Sequence, residues 1–144
     1  YDGELCSCGN RGCLEAYASI PIIEKRLQKV TGKKLGFTAF CQLHEDPLVH
    51  EILCDMADKI ACALTGVVNM LNSSAIFIGH CGALLNDIYI QRIEDRVNAM
   101  KLSGNYQTVR VQKSFFGEDA PLFGSACIVL NRLFDGKILA HLDA

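Results

Sequence analysis

Neither sign of charge dominates this sequence. Fourteen lysines and arginines stand against sixteen aspartates and glutamates, a formal net charge of -2. Such a balance supplies no basic field to hold nucleic acid, so any DNA-reading element is expected outside these residues. Long apolar runs are also missing. None reaches the roughly 20 residues that a bilayer-spanning helix needs, so no membrane partner is expected. No internal repeat, low-complexity tract or linker-like stretch interrupts the 144 residues, a length that suits one domain with one core. A secretory signal and a start methionine are absent too: the chain opens on Tyr1-Asp-Gly-Glu-Leu5 and reaches its cysteines at once. We expect it to be a piece of a longer protein.

Cysteine, by contrast, is abundant, with eight residues. Three crowd together as Cys6, Cys8 and Cys13, and five (Cys41, Cys54, Cys62, Cys81, Cys127) stand singly in apolar stretches. Disulfide-stapled secreted domains are small and loop-rich. This chain has long helical patterns instead, so the scattered five are expected to be reduced core thiols of a cytoplasmic protein.

The hydrophobic pattern predicts alternating helices and strands. After a Gly/Cys-rich loop over 1–13, a short turn over Leu14–Ser19 leads to a helix that Ser19 can cap, with Pro21 in its first turn and Gly32 at its end. A short helix is expected near Thr38–His44. Asp46-Pro47 signals the start of a long helix whose stripe runs through Leu48, Ile52, Met56, Ile60, Leu64, Val67 and Leu71, with Ala57, Ala61, Ala63 and Gly66 permitting close packing. Ala75-Ile-Phe-Ile-Gly79 reads as a strand buried on both faces. Then come a helix over Ala83–Met100, a turn at Ser103–Asn105, a strand over Thr108–Gln112, a helix over Ala120–Phe134 opened by Glu118 or Asp119, and a terminal turn over Ile138–Leu142. This order is α/β, helix-rich with a small sheet. The methionines and phenylalanines are expected in the core, and Lys25-Arg26 and Lys33-Lys34 as isolated solvated charges. His44, His50, His80 and His141 are spread too widely to form a ligand pair, and His50 reads as a surface or packing residue.

The strongest chemical signal is Cys6-Ser-Cys8-Gly-Asn-Arg-Gly-Cys13. Three thiolates in C-x-C-x4-C spacing can converge on one point, and Gly9 and Gly12 allow the loop to wrap tightly. Zinc takes tetrahedral sulfur and nitrogen ligands, so Cys6, Cys8 and Cys13 form a candidate zinc knuckle that needs a fourth ligand. The competing possibility is a set of incidental loop thiols. Two residues on, Glu15 opens a helical turn, where a carboxylate is favoured by the helix dipole whether or not it has a function.

The run Cys6-Ser-Cys-Gly-Asn-Arg-Gly-Cys-Leu-Glu-Ala-Tyr-Ala-Ser19 resembles the C-x-C-G-x-x-G-C-x-E-x-x-x-S signature of the ROK family (repressors, open reading frames and sugar kinases). Ala63–Asn72 followed by Ala75–Gly79 resembles that family's long helix, N-x-x-x-P turn and buried strand, with Ser73 near the usual proline. Leu122-Phe-Gly-Ser-Ala126 resembles its closing L-x-G-A-A, so the likeness covers nearly all of 1–144. It implies a ribonuclease H-like fold of the actin/hexokinase ATPase type, with this chain as the later part of the second lobe. Residues 1–19 would be the zinc knuckle and sugar-contact segment, and 20–144 the helical and β remainder. It further implies that Glu15 accepts hydrogen bonds from sugar hydroxyls. The fourth zinc ligand would be a histidine upstream of Tyr1, and the catalytic aspartate would be upstream as well, so no catalytic residue is expected here.

Two functions remain open, beside a plainer one in which the chain is a zinc-stabilised oligomerisation lobe without ligand affinity. One is a sugar- or phosphosugar-responsive transcriptional regulator that reaches DNA only through an N-terminal helix-turn-helix outside this chain. The other is an ATP-dependent sugar kinase. The turn Gly79-His-Cys-Gly82 carries bulk where the kinases have glycines, and Leu133–Leu142 resembles the extended ending of NagC/Mlc-type repressors. Both features favour the regulator. A homo-oligomer is expected, since two legible strands rarely stand alone.

Overall fold

The computed structural model describes residues 3–102, 104 and 107–135. The expected turn at Ile138–Leu142, most of the Leu133–Leu142 ending, and Ser103 and Asn105 lie outside the described residues. The elements run α1 (Glu15–Ala18), α2 (Ile20–Thr31), α3 (Phe37–Gln42), α4 (Pro47–Leu71), β1 (Ala75–Ile78), a short 3-10 turn (His80–Leu84), α5 (Asp87–Met100), β2 (Arg110–Lys113), a second 3-10 turn (Gly117–Asp119) and α6 (Ala120–Phe134). β1 and β2 pair in parallel, Ala75 opposite Arg110 and Ile78 opposite Lys113, with α5 as the crossover between them.

Local chemistry sets most boundaries. The Asp46 carboxylate accepts the Leu48 N–H at 3.0 Å and Pro47 follows it, so α4 begins where the sequence signals it. α2 ends as Gly32 turns left-handed at φ 68°. Ser19 does precede α2 in extended conformation, but its hydroxyl makes no cap bond; its carbonyl accepts from Ile22 and Ile23 instead. The helix expected from Ala83 begins at Asp87. Asn86 accepts the Ile88 N–H at 3.1 Å and so fixes the true start, while 80–84 tightens into the 3-10 turn.

The core lies between α2, α3, α4 and α5. Ile23, Leu27, Phe40, Leu53, Met56, Tyr89 and Ile93 are essentially sealed from solvent. Along α4 the buried stripe is Val49, Ile52, Leu53, Met56, Ala57, Ala61, Thr65 and Val68. Leu48, Val67 and Leu71 of the expected stripe are exposed, because the helix turns its small residues, Ala57 and Ala61, toward its neighbours. On the exposed side α4 is tied to α5 by one carboxylate. Asp58 accepts two bonds from Arg92 (2.7 and 2.8 Å) and two from Arg96 (3.1 and 2.9 Å).

The outer edge of β2 is occupied by α5 side chains. Asn98 both donates to the Val109 carbonyl (2.8 Å) and accepts the Val109 N–H (2.9 Å), and Glu94 accepts the Val111 N–H at 2.7 Å. Two residues one helical turn apart thus satisfy backbone groups that a further strand would otherwise take.

Two expectations about burial fail. β1 is not covered on both faces: Phe77 is 67% exposed, while Ile76 and Ile78 pack partly into the core. Met70, Phe115 and Phe134 are likewise exposed, so the methionines and phenylalanines are not uniformly core. α6 contributes no buried residue; Phe123 of α6 stacks on Phe116, just before the second 3-10 turn, with centroids 4.4 Å apart. These apolar surfaces have no cover among the described residues. The scattered cysteines divide in the same way: Cys41 is buried, Cys54 and Cys81 are half-buried, and Cys62 and Cys127 are exposed.

Candidate functional site

The cysteine loop closes on itself before α1 begins. Leu5 and Arg11 form an antiparallel bridge, the Cys6 N–H donates to the Asn10 carbonyl at 2.8 Å, and the Gly12 N–H donates to the Glu4 carbonyl at 3.0 Å. Gly9 (φ 87°) and Gly12 (φ 76°) take left-handed angles that a side chain would strain, which is why glycine stands at both reversals. The closure brings the sulfur atoms of Cys6, Cys8 and Cys13 within 4.8 Å of one another. Cys8 and Cys13 are 3.7 Å apart. Two sulfurs on one tetrahedral ion with bonds of ~2.3 Å would be separated by about 3.8 Å, so the donor set and its spacing fit a single ion.

The thiols are also electrostatically in conflict. The Asn10 backbone, then the Cys6 and Cys13 thiols, hold Cys8 below the ordinary thiol value. Cys13 is pushed up, to about 11, first by its hydrogen bond with Cys8 and then by that with Cys6. A bound divalent ion would favour the thiolate form of sulfurs held this close together. Among the described residues no fourth His, Cys, Asp or Glu joins the cluster.

Glu15 follows at the first position of α1, and the loop determines where it points. Ser7, between two of the cysteines, donates its hydroxyl to Glu15 Oε1 at 3.0 Å. Tyr17 accepts the Glu4 N–H at 2.7 Å and so pins the front of the loop to α1. The exposed Glu15 carboxylate stands in a cleft of about 540 Å³ with Ser7, Tyr17, Arg26, Asp55 and Lys59 among its walls. Arg26 is bound to Asp55 at 2.8 Å, and Lys59 sits over the Tyr17 ring, 5.6 Å from its centroid. Arg26 is therefore not an isolated charge, and neither is Lys33, which lies 3.5 Å from Asp46.

Of the residues the sequence singles out, the structure brings the three sulfurs together and sets Glu15 beside their loop, linked to it through Ser7. The sequence expectation missed Ser7, Arg26, Asp55 and Lys59. Asp55 and Lys59 are four apart and so share a helix face, but that spacing cannot show that the face borders the cysteine loop.

The profile described as the ROK family matches residues 1–132. The chain belongs to the ROK family. Over 151 residues it is 28% identical to the DNA-binding transcriptional repressor Mlc of Escherichia coli, covering 97% of this chain and 37% of that protein. It is 27% identical to a glucokinase of Thermotoga maritima, covering 92% of this chain and 47% of that enzyme. Among solved structures, a ROK family transcriptional regulator, a homologue of E. coli Mlc, superposes with a TM-score of 0.82 at 25% identity over 96% of this chain and 38% of the other. A ROK glucokinase from Streptomyces griseus, solved with glucose and AMPPNP, shares the fold at a TM-score of 0.72 and 20% identity, over 88% of this chain and 47% of that one. The ROK chain described here therefore spans little more than a third of the repressor's length. Its fold is the helix-rich α/β arrangement common to ROK regulators and ROK sugar kinases. No helix among the described residues is long and apolar enough to cross a membrane.

Proposed function

We propose that this ROK chain is the effector-binding part of a sugar- or phosphosugar-responsive transcriptional regulator. Its DNA-reading helix-turn-helix would lie elsewhere in the protein. One observation carries this: the cysteine loop and Ser7 aim the Glu15 carboxylate into an open cleft whose walls also carry Arg26, Asp55 and Lys59. An ionised carboxylate offers two acceptor oxygens, which suits the adjacent hydroxyls of a sugar. The match to Mlc, a repressor, favours regulation as the use of that contact.

Cys6, Cys8 and Cys13 hold zinc in this account, with a fourth ligand, a histidine, supplied from outside the chain. The ion would act structurally, stiffening the loop that positions Glu15. Residues 1–19 form this segment and 20–144 the rest of a partial lobe of the ribonuclease H-like type, in a cytoplasmic protein whose other cysteines form no disulfide with one another.

The second function, a sugar kinase, is kept open by the glucokinase match. The turn after β1 weighs against it. His80 adopts a left-handed φ of 51°, and even a Cβ on Gly82 would meet Ile78 Cγ2 at 2.6 Å, so this turn is bulky at its front and tightly filled at its back. Sugar-dependent DNA binding in the full-length protein, with and without Glu15, tests the proposal.

A further inference from the structure

Away from the cleft, one further cluster joins a nucleophile to a base. His50 and Cys54 are one turn apart on α4, and Cys54 Sγ lies 3.4 Å from His50 Nε2. The other ring nitrogen, Nδ1, lies 3.1 Å from the Tyr89 hydroxyl of α5. Tyr89 is fully buried, so it is a fixed post for the ring, and the two rings also touch, with centroids 5.6 Å apart. The imidazole is thus held from both sides and presents Nε2 to the thiol. Solvent reaches the pair, because His50 is exposed and Cys54 half-buried. Burial pushes the Tyr89 phenol up to about 12, so it stays a neutral hydroxyl able to accept from Nδ1–H when the imidazole carries a second proton.

We propose that Cys54 is a site of covalent modification by small peroxides, with His50 as its base and Tyr89 as the residue that positions His50. The proton passes from Sγ to Nε2, and the thiolate attacks one oxygen of the peroxide. An S–O bond forms as the O–O bond breaks. The departing oxygen takes the proton from Nε2 and leaves as water or an alcohol. Sulfur is oxidised by two electrons, the peroxide is reduced by two, and Cys54 becomes a sulfenic acid.

Cys62 lies two turns further along the same helix and is the more exposed thiol, so exposure alone would favour Cys62. A fixed imidazole beside the sulfur reverses that order. The test treats the full chain with hydrogen peroxide in the presence of dimedone, which traps sulfenic acids, and follows each cysteine by peptide mass spectrometry. Cys54 is expected to gain adduct roughly ten-fold faster than Cys62. His50→Ala and His50→Gln should each bring Cys54 down to the Cys62 rate, and Tyr89→Phe should slow Cys54 while leaving Cys62 unchanged. The Cys62 rate within each variant reports whether the helix pair has loosened, and the variant in which it is unchanged decides. Equal rates at Cys54 and Cys62 in the unaltered chain, or a Cys54 rate that survives loss of the imidazole, would overturn the proposal.

Discussion

At the scale of single residues, the chain repeatedly uses one polar side chain to satisfy several partners. Asp58 is the clearest case. Its carboxylate takes four hydrogen bonds from two arginines, first of all Arg92, which hold it below its ordinary value of 3.8. The charges are partly solvated, so the clamp is modest: Asp58→Ala should cost about 1 kcal/mol in urea unfolding at neutral pH. Because the folded-state pKa is depressed, this contribution is complete above the unfolded value and is lost as pH falls through the folded one. The difference between the two proteins should therefore persist from pH 7 to about pH 5 and shrink below about pH 4. A difference that grew on acidification would contradict the assignment. None of this was legible beforehand, since Asp58 and Arg92 are far apart in sequence and only the packing of α4 on α5 joins them.

At the scale of elements, legibility followed locality. The Asp46-Pro47 start and the Gly32 stop are written in adjacent residues, and both stand where the sequence puts them. The cysteine loop was legible for the same reason, since its glycines and sulfurs lie within one short stretch. The start of α5 was not: an apolar Ala83-Leu84-Leu85 looks helical, and only the Asn86 cap shows that the helix begins later. The two-sided burial expected of β1 also fails, because an apolar run states what a segment needs and not whether this chain supplies it. The loop carries its own prediction. Elemental analysis of the full-length protein, purified without chelators, should find one zinc per chain, and stripping it should lower the unfolding temperature, since a metal bound only by the folded form stabilises that form. Full-length protein free of zinc would contradict the knuckle.

At the scale of the whole molecule, the described residues divide into a sealed helical core and a set of apolar surfaces without cover. The α5 side chains close the sheet at β2, so the open strand edge is that of β1, beside the exposed Phe77. α6 presents Leu122, Ile128, Val129 and Phe134 to solvent. An open edge beside bare apolar faces favours pairing with another copy. The isolated chain is therefore expected to be at least a dimer, and a light-scattering mass fixed at the 15.8 kDa monomer across micromolar concentrations would refute this.

The same core also fixes the cleft beside Glu15, through Arg26 on α2 and Asp55 and Lys59 on α4. In the proposed regulator that carboxylate meets a sugar, and the DNA binding of the full-length protein responds. The most direct measurement is fluorescence anisotropy of the full-length protein on a labelled fragment of its own upstream DNA, titrated with a panel of monosaccharides and their phosphates. At least one should shift the DNA affinity of the unaltered protein. In Glu15→Ala the same shift should need roughly 10- to 150-fold more sugar, the equivalent of about 1.5–3 kcal/mol for a lost charged hydrogen bond. DNA binding indifferent to every sugar, or a sugar dependence identical in the two proteins, would contradict the account.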